Sequence, residues 1–325
     1  MNKKNVLIMM ATYNGQQFLR KQLDSILNQT YSKFHLAIQD DGSDDKTIEI
    51  INEYKEKDYR LEILSNNFIM HGAYYNFHLL ANKFKKREPY DYYMFCDQDD
   101  IWDTDKVERM VNLISNEKEE YPVLLYADMR LIDGKGNNIG NSLEHILYNK
   151  YVNKYTTFFA HNVYGCNLIM NNAAFFGVPE IDLNDKIVRI LSHDNLYAKF
   201  TAFLGNVIYY PEITMSYRRY GGNVSASQKY TFNLARLIER LFNIKSLARD
   251  HSLAYSQSLY AIKLLRKVYG ENKELNDMEQ AINDGGIKCI KYINRNNISW
   301  GRTEKNISRK LVILFGLYKK HLIFN

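Results

Sequence analysis

Three carboxylates crowd the stretch Asp97-Gln98-Asp99-Asp100-Ile101-Trp102, directly after the apolar run Tyr92 to Cys96. Held that close, they repel one another unless a cation sits among them. Hard oxygen ligands select Mg2+ or Mn2+, and such ions take one or two protein carboxylates and complete their shell with substrate phosphate oxygens. A solvated acidic loop, with Asp103 or Thr104 capping the next helix, is the alternative. A place at the carboxyl end of a strand favours the ligand site.

Two more polar stretches follow apolar runs. Ala11-Thr12-Tyr13-Asn14-Gly15 closes the first and Asp40-Asp41-Gly42-Ser43-Asp44 the second. If the two strands are neighbours, Tyr13 could stack on a nucleobase and an Asp could accept the imide N–H of a uracil or thymine. By itself Asp-Gly-Ser reads as a turn, and Asp44 as a helix cap. Ser192-His193-Asp194, just before an apolar helical run, also reads alone as a cap.

The elements that must position these residues alternate. Val6 to Ala11 is a continuous buried-strand run, and Phe18, Leu19, Leu23, Ile26 and Leu27 then recur at helical spacing. His35 to Gln39 is a second strand, followed by a helix carrying Ile48, Ile50, Ile51 and Tyr54. Leu61 to Leu64 is a third strand, Tyr74 to Lys83 a helix and Tyr92 to Cys96 a fourth strand. This order predicts an α/β fold with a mostly parallel sheet flanked by helices and ligands at the carboxyl edge. Beyond residue 120 the spacing predicts strands at Leu124–Met129, Val163–Met170, Val207–Tyr210 and Ile213–Tyr217, with a helix over Ser192–Phe203. From Thr231 the chain turns helical: Leu234, Leu237, Ile238 and Leu241, then Leu259, Ile262, Leu264 and Leu265, step by three or four.

Together these stretches resemble the family 2 glycosyltransferases of the GT-A fold, particularly the bacterial rhamnosyltransferases of surface and capsular polysaccharide synthesis. The resemblance covers about residues 5–225. It also draws on Leu27-Asn28-Gln29-Thr30-Tyr31, Tyr126-Ala127-Asp128-Met129, Asp133-Gly134, Gly165-Cys166-Asn167 and His193-Asp194. It implies a Rossmann-like sheet and a nucleotide site built from Ala11, Thr12, Tyr13, Asn14, Asp40, Asp41, Asp97 and Gln98. Asp99, with Asp97, would hold Mn2+ or Mg2+. Asp194 would be the general base of an inverting transfer to an acceptor hydroxyl. Asp100, Trp102, Gly165, Cys166, His193, Arg218, Arg219 and Tyr220 would face the diphosphate or the acceptor. Related sequences commonly carry Tyr-Arg-x-His-x-x-Asn, whereas here Tyr217-Arg218-Arg219-Tyr220-Gly221-Gly222-Asn223 puts Tyr220 where the His would stand. A tyrosine is a poor metal ligand at neutral pH, so either Arg218 or Arg219 is expected to share the neutralisation of the diphosphate, or the metal site is expected to be looser.

The expected donor is a dTDP- or UDP-sugar, with rhamnose from dTDP-L-rhamnose foremost, and the expected acceptor a lipid-linked saccharide. A UDP-hexose or UDP-N-acetylhexosamine transferase is the alternative, or an inactive nucleotide-sugar-binding subunit.

The 325 residues are 46% hydrophobic and 25% charged, which excludes a disordered chain. The 26 tyrosines suit sugar or base stacking, and biased codon usage would give the same count. Cys96, Cys166 and Cys289 are odd in number and widely spaced, the pattern of buried thiols in a reducing compartment. With no signal peptide and no apolar run of spanning length, the chain is expected in the cytoplasm. Charge divides it: residues 229–325 hold 18 Lys/Arg against 8 Asp/Glu, while residues 1–228 are net acidic. A catalytic domain over 1–228 and a basic helical region over 229–325 are the expected parts. In the latter, Ile307, Leu311, Leu314, Tyr318 and Leu322 fall on one helical stripe beside Arg309, Lys310, Lys319 and Lys320. That suits a membrane surface, or equally packing on the catalytic domain or a second subunit in a homo-oligomer. The basic charges are not gathered into a recognised module, so nucleic acid is not an expected partner.

Overall fold

Residues Val6 to Met10 have no polar side chain and no exposed surface, because helices cover both faces of the strand they form. This strand, β1 (Val6–Thr12), lies between β2 (Phe34–Asp40) and β4 (Tyr92–Cys96), with β3 (Leu61–Leu64) outside β2, all parallel. The computed structural model describes residues 4–65, 70–140, 153–161, 163–220, 242–301 and 303–323. Alternation along β1 sends Val6, Ile8 and Met10 into one hydrophobic cluster and Leu7 and Met9 into another on the opposite face. Helices α1 (Leu19–Leu27), α2 (Thr47–Lys55) and α3 (Ala73–Phe84) make the crossovers, each within a few residues of its expected place. The cap of α2 differs: Asp45, not Asp44, accepts the Thr47 N–H, at 2.8 Å.

The second half of the sheet is mixed. β5 (Ile101–Trp102), α4 (Lys106–Ile114), β6 (Val123–Ile132) and β7 (Asn138–Gly140) precede α5 (Lys154–Phe159), β8 (Leu168–Asn171), α6 (Asn172–Gly177), α7 (His193–Leu204) and β9 (Asn206–Arg218). The strand order is β3-β2-β1-β4-β8-β6-β9-β5, with β7 on β6, and β8 runs antiparallel to both its neighbours. Two expectations need correction. The strand expected over Val163–Met170 begins only at Leu168, because Gly165–Asn167 form a 3-10 turn. There the Asn167 amide donates to the carbonyls of Ala127 and Asp128 at 2.9 and 2.8 Å, replacing backbone pairing with β6. The strands expected at Val207–Tyr210 and Ile213–Tyr217 are one strand, β9, in which Pro211 and Glu212 bulge out of register against Ala127 and Asp128.

The basic third is helical: α8 (Ile244–Tyr269), α9 (Lys273–Asp284), α10 (Gly286–Arg295) and α11 (Thr303–Leu314). Leu259, Ile262 and Leu265 are buried as their spacing predicts, and they share one hydrophobic cluster with Phe158, Phe159 and Phe175. Leu234, Leu237, Ile238, Leu241, Gly221, Gly222, Asn223 and the expected boundary at 228 lie outside the described residues. The C-terminal stripe is out of phase. α11 buries Ser308, Val312 and Ile313, while Ile307 and Leu314 are exposed. Gly316, at φ 61°, follows the end of the helix, and Tyr318 folds back into the core. All three cysteines are buried free thiols. No helix among the described residues is long and apolar enough to cross a membrane.

Candidate active site

The parallel register sets Thr12 beside Asp40 and Met10 beside Cys96, so the residues after β1, β2 and β4 converge on one edge. A cavity of about 610 Å³ opens there, and Ala11, Thr12, Tyr13, Asp41, Asp97, Gln98 and Asp99 all line it. The side-chain amide of Gln98 clamps Tyr13: its oxygen accepts the Tyr13 N–H at 2.9 Å and its nitrogen donates to the Tyr13 carbonyl at 2.8 Å. The Tyr13 ring is left half exposed at the cavity mouth.

Asp40 and Asp41 do different work. Asp40 turns inward, accepting from Thr12 Oγ1 at 2.8 Å and from the N–H groups of Gly42 and Ser43 at 2.9 and 2.7 Å, so it builds the turn. Asp41 faces the cavity, where its carboxylate accepts the Gly72 N–H at 2.7 Å and lies 3.4 Å from His71. Asn14 is also structural: it holds a positive φ of 46° and accepts the Asp44 N–H at 3.0 Å.

The acidic turn after β4 divides in the same way. Asp97 and Asp99 face the cavity. Burial, then the charges of Asp99 and Asp194, push Asp97 up to about 7. Burial also raises Asp99, against a hydrogen bond from the Tyr220 hydroxyl. Asp100 does not line the cavity; it is fully buried and accepts the Arg218 N–H at 3.0 Å. Ligand atoms of Asp97, Asp100 and Cys166 lie within 4.8 Å of one another. Mutually repelling buried carboxylates fit a divalent cation, which would lower the cost of ionising them.

Arg218 braces this turn from behind. Its Nε donates to the Asp99 carbonyl at 2.7 Å, its Nη1 to the Asp133 carbonyl at 3.1 Å, and its guanidinium lies 4.5 Å over the Phe18 ring. It is 1% exposed, and neither it nor Arg219 lines the cavity, so the expectation that they meet the diphosphate is not matched by their placement. Trp102 is likewise buried outside the cavity, with Lys106 Nζ 3.9 Å over its ring. Pairing of Ile101–Trp102 with Met215–Ser216 turns these side chains into the core.

The opposite wall carries Asp194, in the first turn of α7. Its carboxylate accepts from Gly165 N–H at 3.0 Å, from Asn195 N–H at 2.7 Å and from the Ser192 hydroxyl. Burial acts to raise it, but the imidazoles of His193 and His161 and these hydrogen bonds prevail and hold it below the usual carboxylate range. His193 stacks on Phe77 with centroids 3.9 Å apart, and burial pulls it down to about 4, so it is neutral at neutral pH. Neither of its ring nitrogens has a hydrogen-bond partner among the described residues. Gly165, Cys166 and Tyr220 also line the cavity.

The model of the family described as "Glycosyl transferase family 2" matches residues 7–176, more than half of the chain. The chain belongs to glycosyl transferase family 2. A dTDP-rhamnosyl transferase, RfbG of Shigella flexneri, is 30% identical over 234 residues, 68% of this chain and 76% of the relative. A glycosyltransferase of Haemophilus influenzae is 27% identical over 259 residues, 76% of this chain and 94% of the relative. Among solved structures, S. aureus TarS 1-349 in complex with UDP-GlcNAc superposes with a TM-score of 0.53 at 14% identity, over 99% of this chain and 93% of that one. The fold is thus GT-A, and the chain is a glycosyltransferase.

Within this family 2 site, His71, Gly72, Tyr74, Phe77, His161 and Tyr164 line the cavity without having been legible in the sequence. Tyr74 and Phe77 stand on one face of α3, three residues apart, which periodicity marks only as a helix face. Gly72, at φ 134°, is the one local signal that the chain turns sharply before that helix.

Proposed function

We propose that this family 2 glycosyltransferase carries out a single, inverting displacement on a dTDP- or UDP-sugar bound with Mn2+ or Mg2+. The observation that carries the reading is one cavity lined by both the Asp97–Asp99 pair and the ionised Asp194. Tyr13 and Asp41, which line the side of the cavity formed by β1 and β2, would take the base and ribose. Asp97 and Asp99 would hold the cation, which when bound offsets charge on the departing diphosphate. Asp194 takes the proton from an acceptor hydroxyl as that oxygen attacks the anomeric carbon. The new glycosidic C–O bond forms, the bond to phosphate breaks, and its electron pair leaves with the nucleoside diphosphate. Neutral His193, whose ring nitrogens have no hydrogen-bond partner among the described residues, lines the same cavity.

Rhamnose from dTDP-L-rhamnose is the leading donor, supported by the likeness to the Shigella enzyme. A lipid-linked saccharide acceptor in surface polysaccharide synthesis, at the cytoplasmic face, is supported by a shorter match to an Escherichia coli enzyme acting on a GlcNAc-diphosphoundecaprenol, 34% identical over 113 residues. Calorimetry with dTDP-L-rhamnose, UDP-glucose, UDP-galactose and UDP-N-acetylglucosamine, with and without Mn2+, tests the reading. One donor should bind with metal and lose that binding in Asp99→Asn. Equal binding of that donor by the variant, or with no metal present, overturns the assignment of the cation site.

A further inference from the structure

The outer faces of α10 and α11 leave large apolar side chains in water. Ile287 is 66% exposed, Phe315 68%, Ile307 43% and Leu314 40%. These residues are brought together by the packing of the two helices. A Cβ on Gly286 would lie 3.9 Å from the Leu314 carbonyl, and Lys310 Nζ donates to Asn294 Oδ1 at 2.7 Å, so the start of α10 lies beside the end of α11. Ile287 therefore flanks Leu314 and Phe315, while the opposite face of α11, through Val312 and Ile313, is buried against the core. Exposed apolar surface grouped in this way marks an interaction face.

Its charge says what kind. Lys288, Lys291 and Arg295 are exposed along α10, and Lys310 and Lys320 stand near the end of α11. Residues 286–325 contain nine Lys/Arg and one acid, Glu304, which is buried. Just before α10, half-buried Asp284 pairs with Lys288 at 3.1 Å. Two copies meeting through this face would oppose like charges. A nucleic acid would gain from the lysines and from stacking on Phe315, but it offers no apolar partner to Ile287, Ile307 and Leu314. An anionic bilayer satisfies both, with headgroups for the lysines and acyl chains for the apolar tips.

We propose that the paired outer faces of α10 and α11 dock this protein on an anionic lipid bilayer, with Ile287, Leu314 and Phe315 as the inserting residues. A relay of contacts links α11 to the cavity wall. Arg309, on the inner side of α11, lies 3.3 Å from His251 and 5.9 Å from the Trp300 ring, and Trp300 donates to the Phe159 carbonyl at 2.9 Å. Phe159 is two residues before His161 in the cavity wall. The docking face and the wall near Asp194 are thus joined through α11. The proposal rests on this surface alone and does not depend on the donor or acceptor assigned above.

Co-sedimentation of the full chain with vesicles of phosphatidylcholine alone, or mixed with phosphatidylglycerol, tests it. The chain should partition onto the anionic vesicles at least about tenfold better at low salt, and Leu314→Ser with Phe315→Ser should remove most of that binding. Lys291→Gln with Lys320→Gln, both exposed, should weaken it about tenfold with an unchanged melting temperature. Equal binding to both vesicles, no binding to either, or a dimer in light scattering that dissolves in Leu314→Ser/Phe315→Ser overturns the proposal. Donor binding measured without vesicles should be the same in all variants, which keeps this test separate from that of the transferase reading.

Discussion

The backbone N–H of Gly165 donates to the Asp194 carboxylate across 3.0 Å, and the glycine leaves no room beside it: a Cβ would sit 2.5 Å from His193 Nε2 and 3.3 Å from Asp194 Cβ. Gly165→Ala must therefore displace His193, which is stacked on Phe77, or shift the first turn of α7. Turnover should fall about ten- to hundredfold, the scale expected when a positioned group moves by a fraction of an ångström to an ångström. Donor affinity measured by calorimetry should stay within about threefold, because the nucleotide side of the cavity is formed by other elements.

Asp194→Asn removes the proton acceptor while keeping the shape of the side chain. Steady-state transfer should drop by about two to four orders of magnitude with donor binding retained. The pH profile gives a second readout. Because Asp194 is held below the usual carboxylate range, it stays ionised as pH falls toward that range. Its acid limb in kcat should lie below about pH 4, leaving the rate flat between about pH 6 and 8 as far as this group is concerned. An acid limb near neutrality that vanishes in Asp194→Asn would contradict the assignment.

How much of this was legible in the sequence depends on whether local pattern or tertiary pairing decides each residue. The apolar runs of β1 and β4 and the polar residues following them are local, and Tyr13, Asp41, Asp97 and Asp99 reach the cavity as expected. Asp40 and Asp41 are adjacent and chemically identical, so only the Thr12–Asp40 hydrogen bond and the arriving Gly72 N–H separate their roles. Trp102 and Arg218 sit in motif-like stretches, yet the pairing of β5 with β9 buries both, and that pairing joins segments over a hundred residues apart. The face of α11 was misread by phase alone: apolar residues occur all around it, and α8, packing from one side, selects Val312 and Ile313 for burial.

Tyr220 reaches Asp99 through its hydroxyl, and burial, then the Asp99 charge, raises that phenol well beyond its ordinary value. It cannot ionise to serve as a ligand near neutral pH. Tyr220→His would place an imidazole lone pair in its stead, and imidazole suits Mn2+ better than a neutral phenol does. The variant should lower the half-saturating Mn2+ concentration several-fold in calorimetry with the nucleoside diphosphate present. Tyr220→Phe should change it by less than about threefold. If His and Phe behave alike, the residue at 220 lies outside the cation's reach.

Lys85, just after α3, is a stability test far from the cation. Its ammonium donates to the Phe175 carbonyl and lies 4.2 Å from the Phe175 ring centroid, and burial pulls it down to about 7 from 10.5. Between those values the unfolded chain binds the proton and the folded chain does not, so stability from this group rises with pH across the window. Lys85→Met keeps the apolar stem and removes the ammonium. The variant should be more stable than wild type at pH 7 by about a few kcal/mol, and the gap should narrow toward pH 9, because folding releases the lysine's proton and that release costs less as pH rises. Thermal melts of both proteins over pH 7 to 9 read this directly. Parallel curves would mean that the rings of Phe175 and Phe176 hold the lysine charged in the folded protein, with cation–π attraction cancelling the cost of burial.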